Sequence, residues 1–157
     1  MEGIVLRRST AADAEAVAAI AREAWRPIFE GYKEQMGEQI FALLYPEDPL
    51  KKKQSEVAEA AKGTHCFVAE YEGRVVGFAT YMIDGAVGTL ANNAVALRGH
   101  GIAGLLHTRI FEEMKACGCK VVTVRTGLDA AHAPARRAYE KDGFTNSLPS
   151  IQYYKML

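Results

Sequence analysis

Apolar positions recur along this chain with two different periods, and the changes of period divide it. Residues 3–8, GIVLRR, read as a short strand. Thr10 to Asp13 then reads as a helix start, a hydroxyl N-cap followed by an acid in the first turn. Val17, Ile20, Ala21, Ala24 and Trp25 fall on one helical face, and Pro27 interrupts or bends that helix. A second helical stretch runs over Glu34–Leu44 with Met36, Ile40, Leu43 and Leu44 on its apolar side. Pro46 and Pro49 break it, and a third runs from Leu50 to Ala61. The period then shortens to two. THCFVAEYEG (64–73) and RVVGFATYMID (74–84) form a hairpin about Glu72-Gly73. Asp84-Gly85 turns the chain into a third strand, AVGTLANNAVAL. Ile102, Leu105, Leu106, Phe111, Met114 and Cys117 restore the helical period, which Gly118 ends. Residues 120–126, KVVTVRT, are a strand. A helix follows through Pro134–Lys141, with the proline in its first turn, and SIQYYKML supplies a last strand. Tyr153 and Tyr154 there face opposite sides, one toward a cleft and one toward the core. The order β-α-α-(α)-β-β-β-α-β-α-β predicts an α/β (α+β) fold: a mixed, mostly antiparallel sheet flanked by helices, with one β-α-β crossover.

The 157 residues predict one domain, 1–157. Lys plus Arg number 19 and Asp plus Glu number 19, so the net charge is zero, and neither nucleic acid nor a membrane surface is expected as a partner. Lys51-Lys52-Lys53 reads as solvated helix surface, with a phosphate contact as the alternative. Cys66, Cys117 and Cys119 form no C-x-x-C pair and read as free thiols of a reducing cytosol. His65, His100, His107 and His132 have no metal spacing, so no metal is expected. No long apolar run follows the early basic residues, which predicts no signal peptide and a soluble, cytoplasmic protein.

The stretch RGHGIAGLL, 98–106, contains a literal G-x-G-x-x-G between a strand and a helix. A dinucleotide fingerprint sits on the first β-α turn, with an acid about 20 residues on. Here a meander precedes the glycines, the next strand ends in Arg125-Thr126, and the remaining chain is too short for a doubly wound sheet. Topology therefore argues against an NAD(P) oxidoreductase. The physics of the glycines remains: amides at a helix start and the positive end of its dipole suit a bound phosphate.

Arg98-Gly99-His100-Gly101-Ile102-Ala103 also fits R-x-x-G-x-A, and it resembles the R/Q-x-x-G-x-G/A signature of the GNAT N-acetyltransferase superfamily. Residues 132–144, HAPARRAYEKDGF, resemble that family's N-x-x-A-x-x-x-Y-E-K-x-G-F. The predicted element order is also the family's. The resemblance implies acetyl-CoA as cosubstrate, with its pyrophosphate on the amides around Arg98, Gly99, His100, Gly101, Ile102 and Ala103. His132, Ala135 and Arg136 are further cofactor contacts that it implies. It makes Tyr139 the acid that protonates the departing thiolate, and it lets the pantetheine arm enter where the third meander strand splays from its neighbour. An N–H of Ala94 or Val95 then polarises the thioester carbonyl. The activity implied is direct transfer of acetyl to a primary amine of a small molecule or a peptide or protein N-terminus. A homodimer through the last strand is a family-level expectation.

Three departures accompany the match. The family's asparagine, seven residues before the tyrosine, is His132. The usual V-x-P-x-x-R/Q spacing is absent, so either two residues are missing or Asn93 stands in the valine's place. The strand before the loop carries no acid. A primary amine is mostly protonated near neutrality, so a base is needed. Water held by Asn92 or Asn93, or a carboxylate such as Glu30 or Glu34, is the candidate. Trp25, Phe29 and Tyr32 suit either an amine site or plain helix packing. The missing acid also fits an acyl-CoA-binding sensor without catalysis.

Overall fold

In this computed structural model, which describes residues 3–157, one five-stranded sheet has the sequential order β1-β2-β3-β4-β5. β1 (Ile4–Arg8), β2 (Cys66–Tyr71), β3 (Arg74–Asp84) and β4 (Val87–Val95) are antiparallel neighbours, and β5 (Val121–Val124) joins β4 in parallel. This is no doubly wound sheet, and the dinucleotide reading falls with it. The helices are α1 (Ala14–Met36), α2 (Glu38–Leu44), α3 (Pro49–Lys62), α4 (Ile102–Ala116) and α5 (Ala133–Lys141). No described helix is long and apolar enough to cross a membrane.

The alternation of the strands divides the core into two layers. On one face Val17 and Ala21 of α1 and Val57 and Ala61 of α3 pack on Cys66, Val68, Phe78 and Ala94. On the other, Ile102, Leu106, Ile110 and Met114 of α4 and Tyr139 of α5 pack on Phe67, Ala69, Ala79, Tyr81 and Leu90. The start of α1 is fixed by Asp13, whose carboxylate accepts from the Thr10 N–H at 2.7 Å and from Arg7 at 2.8 and 2.9 Å. The Arg7 guanidinium chiefly, with help from Thr10, holds the Asp13 carboxyl down at about 2.

Three local expectations are corrected. α1 runs through Pro27 without a break, because Val17 and Ala21 before it and Phe29 and Tyr32 beyond it are packed; one missing ladder bond does not outweigh them. The stretch 34–44 is divided by Gly37, whose φ of 84° ends α1 and starts α2. The segment 150–157 forms no strand. It alternates as a strand would, yet it pairs with neither edge strand of the sheet, and Met156 comes back instead beside Met36 and Ile40 at the corner of α1 and α2. Tyr153 and Tyr154 are both exposed, so neither enters the core.

β4 carries a bulge. Ala79 pairs with Asn93 and Tyr81 with Leu90, so Thr80 alone opposes Ala91 and Asn92. The Thr80 hydroxyl repairs the ladder: it accepts from the Asn92 N–H at 2.9 Å and donates to the Asn92 carbonyl at 3.2 Å. The extra residue turns Leu90 and Asn93, three apart, to the same face.

Replacing Thr80 by the isosteric valine is expected to leave both Asn92 backbone groups unpaired. The cost is about 1–3 kcal/mol, read as a lower urea midpoint. The Asp13 carboxyl lies below its ordinary value of 3.8, so its contribution is complete above that value and is lost as pH falls toward 2. Wild type is therefore expected to lose about 1–2 kcal/mol over that interval that Asp13→Asn does not lose, with urea unfolding at several acid pH values as the check.

Candidate functional site

β4 leaves its parallel partner early. The last pair with β5 is Leu90 with Val124, while β4 continues to Val95. Along an antiparallel strand the backbone groups face alternate sides. Asn92 gives its pair to Thr80, and Ala96 donates to the Val76 carbonyl at 2.8 Å, so Ala94 between them also faces β3. Asn93 and Val95 turn their N–H groups to the open side. Of the two amides expected at a thioester, Ala94 is thereby corrected: its N–H belongs to the ladder and its side chain to the α1–α3 core. The free amide is that of Val95.

Beyond β4 the chain enters α4 through residues 96–101. Gly99 has φ 80° and Gly101 has φ 73°, left-handed values that a side chain would strain. Ile102 is buried and anchors the first turn of α4, whereas Arg98, Gly99, His100 and Gly101 are exposed and Ala103 is half-buried. No side chain caps α4. Among the described residues, the N–H groups from Gly99 to Ala103 meet no protein acceptor. The result is a nest of amides at the positive end of a four-turn helix.

Tyr139 of α5 reaches across to β4. Its hydroxyl accepts from Asn93 Nδ2 at 3.1 Å, and its ring lies 5.8 Å from Phe144 and 5.7 Å from His107. Burial pushes the Tyr139 phenol above its usual value; the Asn93 N–H works against this, and the Asp142 charge adds to it. The hydroxyl therefore keeps its proton, beside the unpaired stretch of β4.

The remaining residues of the second motif serve the turn 127–132. His132 Nδ1 lies 2.6 Å from Asp129 Oδ1, and its ring stacks on Tyr32 at 6.1 Å. Arg136 Nη1 donates to the carbonyls of Gly127, at 2.6 Å, and Asp129, at 2.8 Å. Ala135 packs into the core cluster that contains Tyr139. A Cβ on Gly127 would stand 2.2 Å from Asp129 Oδ1 and 2.6 Å from His132 Nδ1, so glycine is what lets the turn close. Thr126 Oγ1 and Asp129 Oδ2 are buried there without a partner.

The opposite face of β4 carries a polar cluster that the sequence did not reveal. Asn92 Nδ2 donates to Glu56 Oε1 at 2.8 Å, and Lys53 Nζ donates to Asn92 Oδ1 at 3.0 Å and to Glu56 Oε2 at 2.8 Å, above the Trp25 ring. Partial burial opposes ionisation of Glu56, yet the bonds from Lys53 and Asn92 hold its carboxyl below the ordinary range. Glu30 and Glu34 lie exposed on α1. Phe29 meets Tyr32 at 6.0 Å and Tyr45 at 5.5 Å, both edge-on. Two further residues escaped sequence reading. His107 of α4 is wholly buried, with Nδ1 2.5 Å from Asp142 Oδ2 and Nε2 3.4 Å from Asn93 Oδ1. The only signal for it was a polar residue on the Ile110–Met114 face of an amphipathic helix.

Comparison with known proteins bears on this geometry. The family model described as "Acetyltransferase (GNAT) family" matches residues 18–144. None of the curated proteins compared matches the sequence. Several solved structures share the fold. A PaiA N-acetyltransferase from Thermoplasma acidophilum in complex with coenzyme A has a TM-score of 0.68 at 20% identity, over 91% of this chain and 90% of that one. Ard1 from Thermoplasma volcanium has a TM-score of 0.67 at 17% identity, over 93% and 85%. The aminoglycoside acetyltransferase AAC(6')-Iy, bound to the bisubstrate analog CoA-S-monomethyl-acetylneamine, has a TM-score of 0.65 at 17% identity, over 99% and 100%. With most of its length matched by that model, and with the fold of these enzymes, the chain belongs to the GNAT acetyltransferase family.

Proposed function

We propose that this protein is an acetyl-CoA-dependent N-acetyltransferase that passes the acetyl group directly to a primary amine of a small molecule or a peptide N-terminus. One observation carries the reading. The unpaired end of β4 leaves the Asn93 and Val95 N–H groups open, the Asn93 side chain holds the Tyr139 hydroxyl, and one loop further on lie the unpartnered amides of Gly99 to Ala103. Neighbouring structures that hold coenzyme A or a CoA–aminoglycoside analog support the choice of ligand and acceptor class.

In this reading the amides from Gly99 to Ala103 take the pyrophosphate, with Arg98 and His100 free to add charge. The pantetheine arm lies along β4 where β5 has left it, and it pairs with Asn93 and Val95. His132 and Arg136 act through the turn they hold, and Ala135 seats Tyr139. The Val95 N–H donates to the thioester carbonyl and stabilises the oxyanion as it forms. The amine lone pair attacks the carbonyl carbon, the C–N bond forms, and the C–S bond breaks. The thiolate takes the Tyr139 proton, and the nitrogen gives up its own proton to water. Glu56, kept ionised beside Asn92, is the carboxylate that draws a cationic acceptor toward β4.

Acetyl-CoA at a hundredfold excess over its Kd is expected to stabilise the protein by about 2.7 kcal/mol, seen as a rise in Tm; no rise at saturation refutes the reading. Tyr139→Phe is expected to lower kcat by roughly 10²-fold with KM for acetyl-CoA little changed, measured by thiol release with a panel of amines. An unchanged kcat removes Tyr139 from the chemistry.

A further inference from the structure

A neutral or charged imidazole with no exposure, on the apolar face of a core helix, must have both ring nitrogens satisfied. His107 meets this condition through two partners from different elements. Asp142, just past α5, lies 2.5 Å from Nδ1. Asn93 of β4 presents Oδ1 at 3.4 Å from Nε2. The other end of the same amide, Nδ2, reaches the Tyr139 hydroxyl at 3.1 Å and the Ala91 carbonyl at 3.3 Å. Asp142, His107, Asn93 and Tyr139 thus form one continuous chain of hydrogen bonds. A primary amide in the middle of such a chain has a direction: one end donates and the other only accepts.

We infer that His107, held by Asp142, is a positioning residue whose proton sets which end of the Asn93 amide faces Tyr139, and so whether the Tyr139 proton is free for the leaving thiolate. This rests on the acetyltransferase reading for its consequence, and on the hydrogen-bond chain alone for its cause. When the His107–Asp142 pair carries two protons, one lies between Nδ1 and Oδ2 and the other sits on Nε2. Nε2–H donates to Asn93 Oδ1, and Nδ2 donates to the Ala91 carbonyl and to the Tyr139 oxygen. With its oxygen occupied as an acceptor, Tyr139 keeps its O–H for the open side of β4.

When the pair loses one proton, Nε2 carries a lone pair and faces Oδ1, two acceptors in contact. The amide relieves this by turning over. Nδ2 then donates to Nε2, and Oδ1 accepts the Tyr139 O–H, at the cost of facing the Ala91 carbonyl. The acid is then engaged inward, and the thiolate must wait for it. The titratable groups at the ring are Asp142 and Tyr139, both from the α5 side, with Asn93 from β4 and Phe111 on α4 itself. From β1 and β3 the groups facing α4 are Arg8 and Tyr81, which bond to each other at 3.3 Å, and Arg8 also pairs with Glu113 further along the helix. Phe67 of β2 lies between Arg8 and Arg109.

The experiment uses the full chain with 15N-histidine and 13Cζ-tyrosine. Tyr139 is assigned by its loss in Tyr139→Phe, and His107 by its loss in His107→Gln. Across a pH series, the Tyr139 Cζ resonance is expected to move together with the protonation of His107 Nε2, the two sharing one midpoint. Asp142→Asn, which removes the charge stabilising the imidazolium, moves that common midpoint down. In turnover at saturating amine, wild-type kcat falls about tenfold or more across the same midpoint while KM for acetyl-CoA holds. His107→Gln flattens that profile, and it adds nothing to the effect of Tyr139→Phe in a double-mutant cycle. A Tyr139 resonance that stays still while His107 titrates, a His107 that does not titrate, or additive effects on log kcat overturns the inference. Failure to turn over any amine while the two resonances still move together overturns the acetyltransferase reading and upholds the coupling.

Discussion

The whole site depends on one extra residue in β4. A strand with unbroken alternation would place Leu90 and Asn93 on opposite faces. Because Thr80 alone opposes Ala91 and Asn92, both side chains point toward α4 and α5. Leu90 stays in the core and Asn93 meets Tyr139. The bulge also increases the local twist, at the place where β4 parts from β5. Pairing on one side persists to Ala96, while the other side is released after Leu90, and that difference creates an edge inside a sheet. An interior edge is normally a cost, since its amides need partners. Here the amides of Asn93 and Val95 are left open on that edge, where the proposed reaction would use them.

The loop and the second motif solve a related problem, that of holding backbone groups still without using them. Gly99 and Gly101 adopt left-handed angles that aim successive amides outward, and buried Ile102 ties the loop to the core. Across the opening, Arg136 donates to two carbonyls of the turn 127–132, while Asp129 and His132 close it over Gly127. The motif-like stretch 132–144 is therefore structural over much of its length, and Tyr139 is its residue that reaches β4.

Much of this was legible in the sequence. The change from a helical to a twofold period and back placed the five strands from Ile4 to Val124, and the spacing of Arg98–Ala103 and His132–Phe144 pointed to the family. The parts that were not legible share a cause: they depend on contacts between distant segments. A bulge shows in Asn-Asn no more than in any other polar pair, and Thr80 reads as one more strand threonine. His107 has no motif and Asp142 lies in a helix-ending stretch; only the packing of α4 against α5 brings them together. Pro27 and the segment 150–157 misled for the converse reason. Local preference spoke for a break and for a strand; packing on both sides of the proline overrode the first, and the C-terminal segment left the sheet for the corner of α1 and α2, with Met156 beside Met36 and Ile40.

The absence of an acid on β4 looked like a defect in the chemistry, and the two asparagines change its meaning. Asn92 and Asn93 are adjacent, so their side chains leave the strand on opposite faces. Asn92 meets the Glu56 carboxylate of α3, and Asn93 meets the chain that ends at the Asp142 carboxylate. One face of the strand thus has the Glu56 carboxylate one amide away, and the other reaches the Asp142 carboxylate through an amide and the His107 imidazole. An amide on the strand transmits position and hydrogen-bond direction without a net charge, while the bonds from Lys53 and Asn92 hold the Glu56 carboxyl below its ordinary range against the effect of burial.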